Sequence, residues 1–237
     1  MTQSPQATIH VFLKTPLVLG KTGTRSVLDA LLYHRLMLIH DADPERARAD
    51  MPLDRLNGGL WACGGGYDPY RARGVTNRLV FRRFLATTGS DVSRLLEEHN
   101  GLSPQEIPKA LSRAFGMFMS AVSSSYTVSQ AMQVDFRMQG NVEQVLRLLQ
   151  MEPFLGPGQS CGYGEIDNVS ADWEDETHDV SWLLTDPDGC LTRPIPEALS
   201  THIDTTLAWP SQVAIEAPYW RSPTQPGWRP RSVESAG

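Results

Sequence analysis

The chain is short of cysteine, short of lysine, and without a long apolar run. Its three cysteines, Cys63, Cys161 and Cys190, are odd in number, widely separated and form no C-x-x-C pair. That pattern speaks for a reducing compartment, the cytoplasm, rather than for a disulfide scaffold. No apolar stretch approaches the length of a membrane span, so no membrane partner is expected. The opening "MTQSPQATIHV" lacks the basic and apolar blocks of a secretory signal. Only three of the 21 basic residues are lysines. Arginine suits bidentate phosphate contacts and stacking on bases, although coding bias in a GC-rich genome produces the same ratio.

What is present is an ordinary globular balance: 237 residues, 41% hydrophobic and 20% charged, enough for one substantial domain with elaborations. A net charge of −6 argues against a generic nucleic-acid binder, but the charge is uneven. Between Asp68 and Asp91 there is no acidic residue, and Arg71, Arg73, Arg78, Arg82 and Arg83 fall in that window. From Leu148 to Thr192 there is no Lys or Arg, and Glu165 to Asp179 supplies seven carboxylates. An acidic protein with one strongly positive face is the expectation.

"ATIHVFLK" alternates, with Ile9, Val11 and Leu13 on one face and His10, Phe12 and Lys14 on the other, which predicts a first strand. Leu28, Leu31, Leu32, Leu36 and Ile39 recur at helical spacing, with Thr24 or Ser26 as the expected cap. "DADPERARADMP" reads as a polar connection, and residues 59–90 as two strands around a basic loop. In "YTVSQAMQVDFRMQ", Tyr126, Val128, Met132, Val134, Phe136 and Met138 share one parity, interrupted by Gln130; this predicts one long antiparallel strand with a polar face. Val142, Val145, Leu146 and Leu149 then predict a helix capped by Asn141. "GYGEIDNVSADW" resumes strand character. The order predicts an α+β fold: a ferredoxin-like or RRM-like antiparallel sheet with helices on one face, insertions and an extended C-terminal tail. Residues 1–207 form the domain, with a basic insertion around 59–90, and 208–237 the Pro/Trp-rich tail.

Between that helix and the last strand lies "LGPGQSCGYGEI", a candidate phosphate loop. It is not a Walker A loop: "GKT" occurs at Gly20–Thr22, but the glycine needed five positions earlier is Thr15. It is not a dinucleotide fingerprint, because a helix precedes and a strand follows it, so the nearby helix end carries the negative pole. What remains is a glycine-rich turn whose N–H groups make an anion nest or a tight connection with no ligand. No cofactor and no metal are expected; no His/Cys/Asp/Glu cluster has metal-ligand spacing.

A helix, "LGPGQSCGYGEI" and a strand resemble the signature loop of the RAMP superfamily of CRISPR-associated proteins. "T-P-L" (Thr15–Leu17), "V-L-D-A-L-L" (Val27–Leu32) and "R-P-I-P" (Arg193–Pro196) extend the resemblance over roughly residues 8 to 200. It is most like the subunit that caps the guide RNA 5′ handle in type IV effector complexes. The resemblance implies a non-catalytic RNA-binding subunit at one end of a filament of backbone subunits. Its implied partners are the guide (crRNA), the other effector subunits and a short motif in target duplex DNA. RNA contacts are then expected at Arg71, Arg73, Arg78, Arg82 and Arg83, with Tyr67 and Tyr70 stacking on bases, and at Gly156, Gly158, Gln159, Ser160, Gly162 and Gly164. One departure stands out. Many members carry basic residues between these glycines, where this chain has Gln159, Ser160 and Cys161. Affinity is therefore assigned to the arginine window.

Two alternatives stay open. A metal-independent endoribonuclease of the same superfamily needs a histidine as general acid or base; His34 and His40 on the first helix are the candidates, with His10 on the first strand. Six residues apart, His34 and His40 do not share a helical face. A protein scaffold without RNA contact is the other, the acidic stretch from Glu165 to Asp179 being a solvated strand pair or a surface for a basic partner.

Overall fold

The computed structural model describes residues 4–19, 26–70, 77–84, 121–156, 159, 162–219 and 221–231; for 77–84 and 121–127 only the backbone is described. The chain forms two compact units, 1–77 with 127–237, and 78–126. The second unit contains most of β3 (Asn77–Phe84) and most of β4 (Ala121–Ser129), and within the first unit β2 (Leu17–Leu19) pairs with the Thr127–Ser129 end of β4.

The larger unit is built on β1 (Gln6–Leu13), the central strand of an antiparallel sheet with β5 (Gln133–Gln139) on one side and β6 (Ile166–Trp173) on the other. Beyond β5 the segment 53–67 adds antiparallel bridges at Leu53–Gly140, Cys63–Met138 and Tyr67–Asp135. The N–H of Tyr67 donates to Asp135 O at 3.0 Å, and the N–H of Gly64 to Arg137 O at 2.8 Å. Helix α1 (Leu28–Ile39) joins β1 to this segment, and helix α3 (Val142–Gln150) joins β5 to β6. The spatial order β6, β1, β5, segment 53–67, with one helix in each crossover, is that of a ferredoxin-like α+β unit.

The core follows the strand period. Ala7, Ile9, Val11 and Leu13 of β1 and Val134, Phe136 and Met138 of β5 are buried with Leu28, Leu32 and Leu36 of α1 and Val142, Val145 and Leu149 of α3. Each of the Val, Leu, Ile, Phe and Met side chains contributes about 1.5–3 kcal/mol on burial. The opposite face of β1 and β5 is mostly polar and partly buried. Asp135 and Gln133 are buried, and Gln133 Nε2 donates to Asp135 Oδ1 at 2.8 Å.

Several local expectations change. The predicted single strand from Tyr126 to Met138 is two strands, β4 and β5, because the register switches at the break. Ala131 is buried and Met132 exposed, the reverse of the predicted parity, and Met132 O accepts the N–H of Leu13. Ser26 does not cap α1, since Val27 holds the N-cap position with no side-chain bond; Thr24 lies outside the described residues. Asn141 does cap α3, accepting from the N–H of Gln144 at 3.0 Å. Part of the expected polar connection is a short helix, α2 (Pro44–Ala49), capped by Asp43 Oδ1, with Pro44 opening it where no N–H is needed.

A second core gathers Leu60, Ala62, Leu183, Leu184, Leu191, Ile195, Leu199 and Ile203. It seats α4 (Val180–Leu184), β7 (Ile195–Pro196) and the C-terminal region. Residues 208–230 are a hairpin of β8 (Ala208–Ala214) and β9 (Thr224–Pro230), with β9 between β7 and β8.

Candidate nucleic-acid interface

The glycine loop is pinned to the turn that follows β1. Gly164 donates its N–H to Pro16 O at 2.9 Å and accepts the N–H of Leu155 at 2.7 Å. Thr15 Oγ1 accepts the N–H of Glu165 at 2.9 Å. Gly164 has φ +71°, and a Cβ there would lie 2.0 Å from Leu155 O, so position 164 admits only glycine. Gly162, at φ +78°, faces open space and donates its N–H to Gln159 O at 2.9 Å. Gln159 Nε2 reaches back to Gly156 O. The anion nest expected of this loop is thereby narrowed: the N–H groups of Gly162 and Gly164 are bonded inside the loop and to the Pro16 turn. Gly158 and Ser160 lie outside the described residues.

The pairing of β1 with β6 also supplies what the loop sequence lacks. Lys14, half exposed, sets its Nζ 3.2 Å from Glu165 Oε1 and 3.9 Å from Asp167 Oδ1. A cation therefore stands at the loop's exit although none is near it in sequence. It is shared with two carboxylates.

The two tyrosines separate. Tyr67 is buried because it bridges to β5. Arg137 lies over its ring at 5.5 Å and over Trp182 at 5.0 Å, and is tied to Trp182 O and Thr185 O. Burial pushes the Tyr67 phenol up, and the Arg137 charge opposes that. The expectation that Tyr67 stacks on bases is corrected: its ring is packed inside the protein. Tyr70, three residues on, is 76% exposed, and its N–H is fixed by Asp68 Oδ1 at 3.0 Å. It marks the point where the chain enters the arginine window. Arg78, Arg82 and Arg83 lie on β3; Arg71 and Arg73 are outside the described residues.

The histidines are not assembled into one site. His34 Nδ1 lies 3.5 Å from Glu152, which Arg35 also holds at 3.0 Å, and His40 Nε2 lies 2.8 Å from Asp50. His10, on the polar sheet face, is the most elaborately held. Its Nδ1 is 2.9 Å from Asp135 Oδ1 and its Nε2 is 3.3 Å from Asp172 Oδ2. A carboxylate on each nitrogen disfavours an approaching phosphate, and no cation joins this cluster among the described residues to stabilise a pentavalent phosphorus.

Sequence reading missed a buried polar cluster. Arg193 is 1% exposed. Its Nη2 donates to Asp29 Oδ2 and to Tyr219 Oη, both at 3.0 Å, and its Nη1 to Cys63 O at 3.0 Å. Tyr219 Oη donates to Asp29 Oδ1 at 2.5 Å. Burial acts against the guanidinium charge, and the Asp29 carboxylate more than offsets it, holding Arg193 above its ordinary pKa. Burial pushes the Tyr219 phenol up and the Cys63 thiol up to about 12. The signal was an arginine in the otherwise cation-free stretch from Leu148 onward, flanked by Leu191 and Ile195 of the second core.

The four sequence elements quoted above thus meet in pairs: "T-P-L" holds the glycine loop through Pro16, and "V-L-D-A-L-L" holds "R-P-I-P" through Asp29. No protein-family model matches the chain, and no curated protein matches it. Among the described residues no group of three or more His, Cys, Asp or Glu side chains is placed to hold a metal ion, and no helix is long and apolar enough to cross a membrane.

Proposed function

We propose that this chain is a non-catalytic RNA-binding subunit of a CRISPR effector complex, holding the 5′ handle of the guide RNA in the cytoplasm. The observation that carries the reading is the pairwise coupling of the four RAMP-like elements within a ferredoxin-like unit. The glycine loop is bonded to the Pro16 turn, and Arg193 is bonded to Asp29. The acid-free arginine window that follows exposed Tyr70 in the sequence supplies the phosphate contacts, which dominate affinity for RNA. Sequence specificity toward a target then comes from guide base pairing, with effector subunits and target duplex DNA as further partners. The arrangement around His10 supports a binding role over cleavage, since its flanking groups are acidic.

The test is filter binding of a labelled CRISPR repeat RNA across a salt series. The full chain binds with a steep salt dependence, and R71E/R73E/R78E flattens the slope and weakens binding. Unchanged binding and slope in that variant overturn the assignment of the window. Cleavage of the repeat by the purified chain overturns the non-catalytic reading.

A further inference from the structure

We propose that the β8–β9 hairpin carries a second nucleic-acid contact, a stacking site for single-stranded RNA built on Trp209, Arg229 and Arg231. The proposal rests on the RNA-binding reading above but concerns a different segment, near the other end of the sequence from the arginine window. Trp209 is 46% exposed, and its direct partner across the ladder is Arg229. The guanidinium of Arg231 lies 5.4 Å from the indole centroid, held there by donation from Nη2 to Thr206 O at 2.8 Å. Both arginines are exposed, and among the described residues neither is in an ion pair. Between Thr205 and Arg231 the sequence has one acid, Glu216, and Arg55 neutralises it.

Protection of a sheet edge does not account for this arrangement. Edge strands are blunted by charges placed on the edge itself. Here β8 is an edge strand that presents an exposed tryptophan, an apolar group that does not blunt an edge, and the arginines stand on β9 and its end just beyond the two residues that β7 covers. An indole face beside two exposed guanidinium groups with no carboxylate partner among the described residues matches a nucleotide instead: the base stacks on the ring and the phosphates meet the arginines. A single strand is the form that fits, because a duplex keeps its base faces stacked inside.

The test is fluorescence anisotropy of a short labelled oligouridylate with the full chain, against W209A, W209F and R229E/R231E, each checked for an unchanged melting curve. W209A is expected to weaken binding about 5- to 150-fold, the range for one lost aromatic stack, and W209F to restore most of it. R229E/R231E is expected to weaken binding and flatten its salt dependence. Preferential binding of the same oligomer as a duplex overturns the proposal. So does full binding by W209A, or binding of an acidic peptide that needs the arginines and not Trp209. If the wild-type chain fails to bind the oligouridylate, the hairpin site is overturned. The handle-binding reading is judged separately, by the repeat RNA and the arginine-window variant.

Discussion

Arg193 and Asp29, 164 positions apart in sequence, meet at 3.0 Å with neither side chain more than 1% exposed. The pair fastens the second core to the first turn of α1; Tyr219 and Cys63 take further bonds from the two Nη atoms, and Nε is left without a partner among the described residues. A buried pair contributes little relative to apolar replacements, but losing one partner strands the other charge. R193M and D29L are each expected to lose about 3–5 kcal/mol in urea unfolding. The double variant D29L/R193M is expected to lose much less than the sum of the two singles. Additive losses in the cycle would contradict the coupling.

The same cluster fixes the alkaline behaviour. In the unfolded chain the Cys63 thiol loses its proton around its ordinary value of 9.0, whereas in the folded chain it keeps it to about 12. Tyr219 is shifted in the same direction by burial. Over that window the folded state binds more protons than the unfolded one, so stability falls as pH rises. Urea midpoints measured from neutral pH upward are expected to hold level and then decline from about pH 9. Near neutral pH the native Cys63 is expected to resist thiol reagents, being both buried and protonated. A midpoint independent of pH up to 12 contradicts the account.

Within the glycine loop the two sites at positive φ separate cleanly. G162A adds a methyl into open space and is expected to cost about 1–2 kcal/mol, the strain of a left-handed residue. G164A adds the same strain and drives a Cβ into Leu155 O, so its loss is expected to exceed that of G162A. Equal losses would mean that the Leu155–Gly164 approach is not maintained in solution.

Helix capping offers a smaller contrast. N141A removes the bond from Gln144 N–H and is expected to cost about 1 kcal/mol. S26A removes no cap and is expected to stay within about 0.5 kcal/mol of the wild type.

These contrasts also mark where the sequence was legible. Local signals carried through: the alternation of β1, the helical period and Asn141 cap of α3, and the helix–glycine–strand order. The α+β class was readable from them because each depends on neighbours in the chain. What was not legible depends on distant partners. Lys14 reaches the glycine loop only through strand pairing 150 residues away, and Tyr67 is closed off only because its backbone bridges to β5. Arg193 reads as a surface cation until Asp29 and Tyr219 are placed around it. The switch of parity at Ala131 and Met132 leaves no trace in residue type, since both are apolar. By contrast, the Asp43–Pro44 start of α2 is a readable cap signal within a stretch whose polarity resembles a loop.

The most direct test of the central claim is the RNA that accompanies the full-length protein when it is purified together with a transcribed CRISPR array. The account predicts a bound RNA of uniform length with one defined 5′ end, lost from R71E/R73E/R78E. RNA of mixed length and sequence, or a protein that purifies free of RNA, would contradict it.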